Sequence, residues 1–162
     1  MRPLVGLLGI LLAVACVPAE AQRAAPAWDG KDAGGRTIHF DPQHLQRPAL
    51  LLFWATWCPY CKALMPYLQK VYDAAGKDKL DVYAIDIKDE DGDPVAELKE
   101  RGNTFTLVRD GDAIADLYGV KGTPGLFLVD RSGTVIYQRS GGDAPEKVEA
   151  TLREKLGLSA SN

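Results

Sequence analysis

The sequence predicts an α/β domain, a mixed central sheet flanked by helices on both faces. Three observations carry this. Ala49-Leu50-Leu51-Leu52-Phe53-Trp54 is an unbroken apolar run of strand length, the pattern of a strand covered on both sides. A helical pattern and then a second strand pattern follow it, an order that demands a parallel pair with a right-handed crossover. Near the end, two strand patterns are joined by Asp130-Arg131-Ser132-Gly133, a hairpin turn that adds antiparallel strands.

The elements follow in chain order. Arg2 opens a short positive region, Leu4 to Ala15 is apolar and uncharged, and Ala19-Glu20-Ala21 offers a small-x-small cleavage site. Residues 1–21 read as a secretory signal peptide, the apolar run being too short to span a bilayer comfortably. Ala13-Val14-Ala15-Cys16 supports a second reading, a lipoprotein signal ending before Cys16, which would then carry lipid. Residues 22–29 read as a mobile Ala/Pro linker, 30–157 as the folded domain, and 158–162 as a fraying tail. Arg36 to Phe40 alternates polar and apolar after Gly34-Gly35, which predicts a strand with His39 on its polar side.

Pro59 suits the first turn of a helix, where its missing N–H costs nothing. Leu64, Leu68, Val71 and Ala75 recur at helical spacing, and Gly76 closes the pattern. Pro66 lies inside and predicts a kink. Leu80 to Ile87 predicts a strand, and Pro94 to Arg101 a short helix capped by Asp93. Phe105 to Val108 predicts a strand, Ala113 to Tyr118 a helix ended by Gly119, and Leu126 to Val129 a strand. Thr134 to Gln138 returns as its hairpin partner. Pro145 to Leu156 closes the domain as a helix with Val148, Leu152 and Leu156 on one face.

Composition narrows the function. The 162 residues are 46% hydrophobic and 25% charged, with a net charge of −3. That suits one globular domain with a real core and provides no basic surface for nucleic acid. Only two histidines occur, His39 and His44, and three cysteines, Cys16, Cys58 and Cys61. With Cys16 cleaved off or acylated, the domain keeps a single Cys58-Pro59-Tyr60-Cys61 motif. One pair closing so small a loop adds little stability by constraining the unfolded chain. A structural zinc site needs a second ligand pair, which is absent. The acidic run Asp86, Asp89, Glu90, Asp91, Asp93 lacks the spacing of an EF-hand loop and reads as a solvated loop. Neither a metal nor a cofactor is called for.

Redox chemistry fits the pair better. A thiolate, not a thiol, is the nucleophile. A helix N-terminus stabilises negative charge through unpaired N–H groups and the macrodipole. Cys58 stands at that position. Cys61, one turn on and on the same face, is placed to resolve a mixed disulfide formed by its partner.

Phe53-Trp54-Ala55-Thr56-Trp57-Cys58-Pro59-Tyr60-Cys61-Lys62, with Gly122-Thr123-Pro124 and Asp130-x-x-Gly133 downstream, resembles the thioredoxin superfamily, in particular its exported TlpA/ResA branch. The resemblance covers residues 30–157 and implies a thioredoxin-like fold with an N-terminal strand extension. The helix, strand and helix between Ile87 and Gly122 would be the central αβ insertion of that branch. It implies an exposed attacking Cys58, a buried resolving Cys61, and a cis Pro124 facing them. Trp57, Pro59, Tyr60 and Thr123 would border the substrate groove, with Thr123 backbone groups free to pair with an extended segment. Trp54 is assigned to the core.

Two positions depart from the family pattern. Leu52 stands where thioredoxins carry a buried Asp, and Leu64 where the ResA-like branch carries a Glu; this leaves the base for Cys61 unassigned. The Pro-Tyr dipeptide is reminiscent of glutaredoxin and of periplasmic Dsb isomerases, which implies a potential less reducing than about −270 mV.

The resemblance implies a periplasmic or exported thiol–disulfide oxidoreductase acting on protein substrates with disulfides or thiols. The foremost expectation is a monomeric reductase in the manner of cytochrome c maturation partners, coupled to a membrane electron donor or acceptor. A Dsb-type oxidase or isomerase is the alternative. A Cu(I)-handling role suits paired thiolates, but related copper chaperones supply a late His, and none follows His44. A peptide-binding module without redox chemistry is the plainest alternative.

Overall fold

The computed structural model describes residues 23–159. The segment read as a signal peptide, Cys16 of the alternative lipoprotein reading, and the last three residues lie outside that range. Among the described residues no helix is long and apolar enough to cross a membrane.

The chain runs β1 (Trp28–Lys31), β2 (Thr37–Phe40), a 3-10 turn (Pro42–His44), β3 (Ala49–Trp54), α1 (Pro59–Ala75), β4 (Asp81–Asp86) and α2 (Pro94–Glu100). It continues through β5 (Thr106–Val108), α3 (Asp112–Tyr118), β6 (Gly125–Val129), β7 (Val135–Ser140) and α4 (Pro145–Leu156). Five strands form one sheet in the order β5-β4-β3-β6-β7. β3 pairs in parallel with β4, and β4 with β5. β6 runs antiparallel to β3 and β7 antiparallel to β6. The predicted mixed sheet, with its parallel crossover and closing hairpin, is the one observed.

β3 is apolar throughout because both its faces are covered. Leu50, Leu52 and Trp54 join Leu64, Leu68, Val148 and Leu152 in the core under α1 and α4. Ala49, Leu51 and Phe53 point the other way, into a core with Tyr118, Phe127 and the N-terminal hairpin. Each buried Leu, Val or Phe among them contributes about 1.5–3 kcal/mol by leaving water. A buried central strand of this kind is a rigid platform for whatever its C-terminal end carries.

The N-terminal segment differs from the expected mobile linker at 22–29. Residues 24–25 bond to the β6–β7 turn: Ala24 bridges Thr134, and the Ala25 N–H donates to the Gly133 carbonyl at 2.8 Å. Trp28 begins β1, which pairs antiparallel with β2, so the extension is a hairpin rather than one strand. The reason is tertiary. Trp28 stacks on Phe40 with centroids 5.1 Å apart and meets Tyr83 edge-on at 5.5 Å, which closes the second core. Gly30 lies so close to Val108 that a Cβ would collide with it, and it packs tightly on Trp28. The four residues Trp-Asp-Gly-Lys carry no alternation from which a strand could be read.

α1 continues unbroken through Pro66 and ends at Gly76, whose φ of 90° suits glycine alone. β4 ends at Asp86, so the acidic run does not all lie in a loop. Asp86 is buried, Asp89 is half-buried, and Glu90 and Asp91 are exposed. Asp93 caps α2, accepting the Ala96 N–H at 3.0 Å.

Candidate active site

The apolar β3 delivers the chain to its C-terminal edge, where Ala55, Thr56 and Trp57 turn it into α1. Cys58 is the N-cap of α1, with extended backbone (φ −85°, ψ 106°) and Pro59 behind it at the first helical position. Its Sγ accepts the Cys61 N–H at 3.1 Å. One of the helix's orphan donors therefore points at sulfur, and the positive end of the macrodipole lies under it. Cys58 and Cys61 are joined as a disulfide, with Cα atoms 5.3 Å apart.

Both cysteines are covered: Cys58 is 2% exposed and Cys61 is 0%. The first corrects the expectation of an exposed attacking cysteine. In the oxidised state its sulfur is drawn over the first helical turn, toward the Cys61 N–H and Sγ, instead of outward. The exposed surface belongs to the neighbours. Trp57 is 58% and Tyr60 63% exposed, large apolar areas directly before the pair and within it. Pro59 is exposed too.

Thr123 is half-buried and Pro124 buried at the entry to β6, and the peptide between them is cis. Tyr60, Leu64 and Pro124 line one cavity of about 270 Å³, with Arg139 and Gly142 across it. Gly142 packs against the Tyr60 ring so closely that a Cβ would stand 2.8 Å from it. Arg139, its side chain 7% exposed, pairs with Asp143 at 3.2 Å. Tyr60, Thr123 and Pro124 are thus carried by α1 and by the segment entering β6, elements that are neighbours through the central sheet.

Trp57 faces the other way. Its indole N–H donates to the Lys88 carbonyl at 2.7 Å. It borders a cleft of about 800 Å³ that also includes Thr56, Asp86, Asp89, Asp110 and Asp112. Asp89 holds Thr56 at two points, accepting its N–H at 2.5 Å and its hydroxyl at 2.8 Å. Asp86 is only 7% exposed, and its Oδ1 has no hydrogen-bond partner. Burial pushes its carboxyl up to about 7, and the Asp89 charge beside it pushes the same way.

Leu52 and Leu64, the two departures, are both buried and apolar, so neither place offers an acid beneath the pair. The acidic groups lie instead on the β4 side. The sequence reading missed Asp86, Asp89, Thr56, Gly142 and Arg139 as neighbours of the site. One signal was available: Asp86 ends the strand that pairs in parallel with the strand leading to Cys58, and open sheets place functional groups at such carboxyl ends. His39 and His44 are exposed and pair with Asp29 and Asp41 on the N-terminal segment. No group of three or more metal-ligating side chains assembles among the described residues.

The sequence matches the AhpC/TSA family over residues 21–138. It is 37% identical over 124 residues to the thiol:disulfide interchange protein DsbE of Escherichia coli K12, covering 75% of this chain and 65% of that one. The chain therefore spans about two-thirds of the length of this relative. It is 31% identical over 134 residues to the thiol-disulfide oxidoreductase ResA of Bacillus thuringiensis, covering 82% of this chain and 76% of that one. Among solved structures it resembles the proposed DsbE of Chlorobium tepidum, with TM-score 0.71, 28% identity, and coverage of 84% and 97%. The thioredoxin domain of a thiol-disulfide oxidoreductase from Bacteroides vulgatus gives TM-score 0.65 at 25% identity, with coverage of 83% and 99%. A cysteine pair whose first member caps a helix, on a sheet of this order, with these relatives, places the chain in the AhpC/TSA family of the thioredoxin superfamily, beside proteins of the DsbE and ResA type.

Proposed function

We propose that this protein is an exported thiol–disulfide oxidoreductase that passes two electrons between Cys58/Cys61 and a cysteine pair in protein substrates, working as a reductase. The observation that carries the reading is the position of Cys58. It caps α1 with its sulfur on the Cys61 N–H, an arrangement that stabilises a thiolate.

In the reduced protein the Cys58 thiolate attacks one sulfur of a substrate disulfide. The other substrate sulfur leaves as a thiolate and takes up a proton. Cys61 then loses its proton and attacks Cys58 Sγ, releasing the second substrate sulfur as a thiol and closing the Cys58–Cys61 disulfide. Two electrons have moved to the substrate, and a partner at the membrane must return them. Trp57 and Tyr60 supply exposed aromatic area on which a substrate segment rests, and Thr123 supplies backbone groups beside Pro124. Export is supported by the signal-peptide pattern in residues 1–21.

Trapping tests the roles. Cys61→Ser accumulates mixed disulfides through Cys58, whereas Cys58→Ser accumulates none; equal trapping by the two variants rejects the assignment. The resting state in cells, read by thiol alkylation, sets the direction: mostly reduced for a reductase, mostly oxidised for an oxidase. A scrambled-disulfide refolding assay detects isomerase activity.

A further inference from the structure

The turn that presents Cys58 is strapped to the loop after β4 by more contacts than a connection needs. Both Asp89 oxygens are used on Thr56, at 2.5 and 2.8 Å. The Trp57 indole donates to the Lys88 carbonyl at 2.7 Å. Lys88 itself has φ 53°, a left-handed conformation that a non-glycine residue keeps only where its surroundings enforce it. Its N–H approaches Asp112 Oδ2 at 3.4 Å, and its ammonium the Lys121 carbonyl at 3.4 Å. Gly92 completes the strap, because a Cβ there would run into Thr56 Oγ1 and Asp89 Oδ1. Beneath the strap lies Asp86, buried with an oxygen that no donor satisfies. Its carbonyl accepts the Gly111 N–H at 2.8 Å, so its backbone is held from β5's side as well.

We infer that Asp86 and Asp89 form a positioning pair that holds the Thr56–Trp57 turn against the 88–92 loop and makes the reactivity of Cys58 respond to pH. With Asp86 protonated, the pair carries one negative charge, and that charge is spent on the Thr56 N–H and hydroxyl. When Asp86 ionises, a second negative charge lies against Asp89 on the wall of the cleft. Repulsion then loosens the hold on Thr56, and the added negative potential near the start of α1 disfavours a Cys58 thiolate. The groups that face Asp86 all enter this balance. Burial, Asp89 and Asp110 keep it protonated and Arg109 opposes them, while Lys88, Glu90, Asp91 and Asp112 share the cleft. Asp86 and Asp89 are positioning residues, acting on the reaction through Thr56 and Trp57.

The inference rests on the reading of Cys58 as the attacking sulfur, and the test separates the two. In the oxidised full-length protein neither cysteine titrates. There the Trp57 indole N–H, assigned with Trp57→Phe, is followed by NMR from pH 5 to 9. It shifts in wild type with a midpoint near 7 and stays flat in Asp86→Asn. Asp89→Asn, which removes the neighbouring charge, moves the midpoint to lower pH and serves if Asp86→Asn does not fold. In the reduced protein, alkylation of Cys58 by iodoacetamide rises with pH in two steps in wild type and in one step in Asp86→Asn, which reacts about threefold faster at pH 8. A flat wild-type indole signal, or a midpoint unmoved by either substitution, overturns the pair. An indole titration with identical alkylation profiles in wild type and Asp86→Asn overturns its link to Cys58. Preferential alkylation of Cys61 counts against the assigned cysteine roles and leaves the titration of the pair standing.

Discussion

Replacing Asp86 by Asn should make the protein more stable at pH 8 and leave it nearly unchanged at pH 4. The carboxyl is raised from an ordinary 3.8 to about 7 by burial and by Asp89. Below 3.8 both the folded and the unfolded chain hold the proton, so the group does not bear on stability. Between 3.8 and about 7 the folded protein holds a proton that the unfolded chain has released. Stability therefore falls as pH rises through that window, by about 1.4 kcal/mol per pH unit for this one group. Above 7 both states are ionised and the penalty is constant. The full interval corresponds to about 4 kcal/mol. Asp86 lines an open cleft, where water screens part of the charge, so about 2 kcal/mol is the expected gain for Asn at pH 8. Asparagine keeps the shape and carries no charge. Urea unfolding of the oxidised protein, wild type and variant side by side at pH 4, 6 and 8, measures the difference directly. A gap that stays constant across the three pH values refutes the reasoning, since a purely steric effect of the substitution has no reason to follow the Asp86 titration.

Three further outcomes follow from packing. Trp28→Ala removes a 5%-exposed ring stacked on Phe40 and should cost about 3–5 kcal/mol in urea unfolding; a loss below about 1 kcal/mol would mean that the N-terminal hairpin is not part of the cooperative unit. Leu52→Asp places the acid found in thioredoxins at a position with 0% exposure. It should destabilise by more than about 3 kcal/mol, because the apolar core built around Leu52 has no partner for the carboxylate, and a near-neutral result would show that the site admits an acid. Asp93→Ala deletes the cap that accepts the Ala96 N–H and should cost about 1 kcal/mol, with faster amide exchange confined to α2; an unchanged exchange pattern would remove the cap from the account.

Much of the fold was legible because the signals were local. An apolar run of strand length, a proline opening a helix at Pro59, a glycine closing it at Gly76 and a four-residue turn at 130–133 each have a short-range physical cause, and each stands where it was read. The cysteine spacing told as much about chemistry, since a pair one helical turn apart at a helix start has few uses. Arrangements between distant segments were not legible. β1 exists because Trp28 finds Phe40 and Tyr83, residues that nothing in Trp-Asp-Gly-Lys announces. Cys58 lies under cover because its sulfur folds back onto the helix. Asp86 looked like one more acid in a solvated run until the sheet placed it beside Trp54 in register and below Asp89. A sequence states which side chains are available and which local conformations they favour; burial, the approach of like charges and the strap across Thr56 depend on neighbours brought from elsewhere in the chain, and only the tertiary structure supplies those.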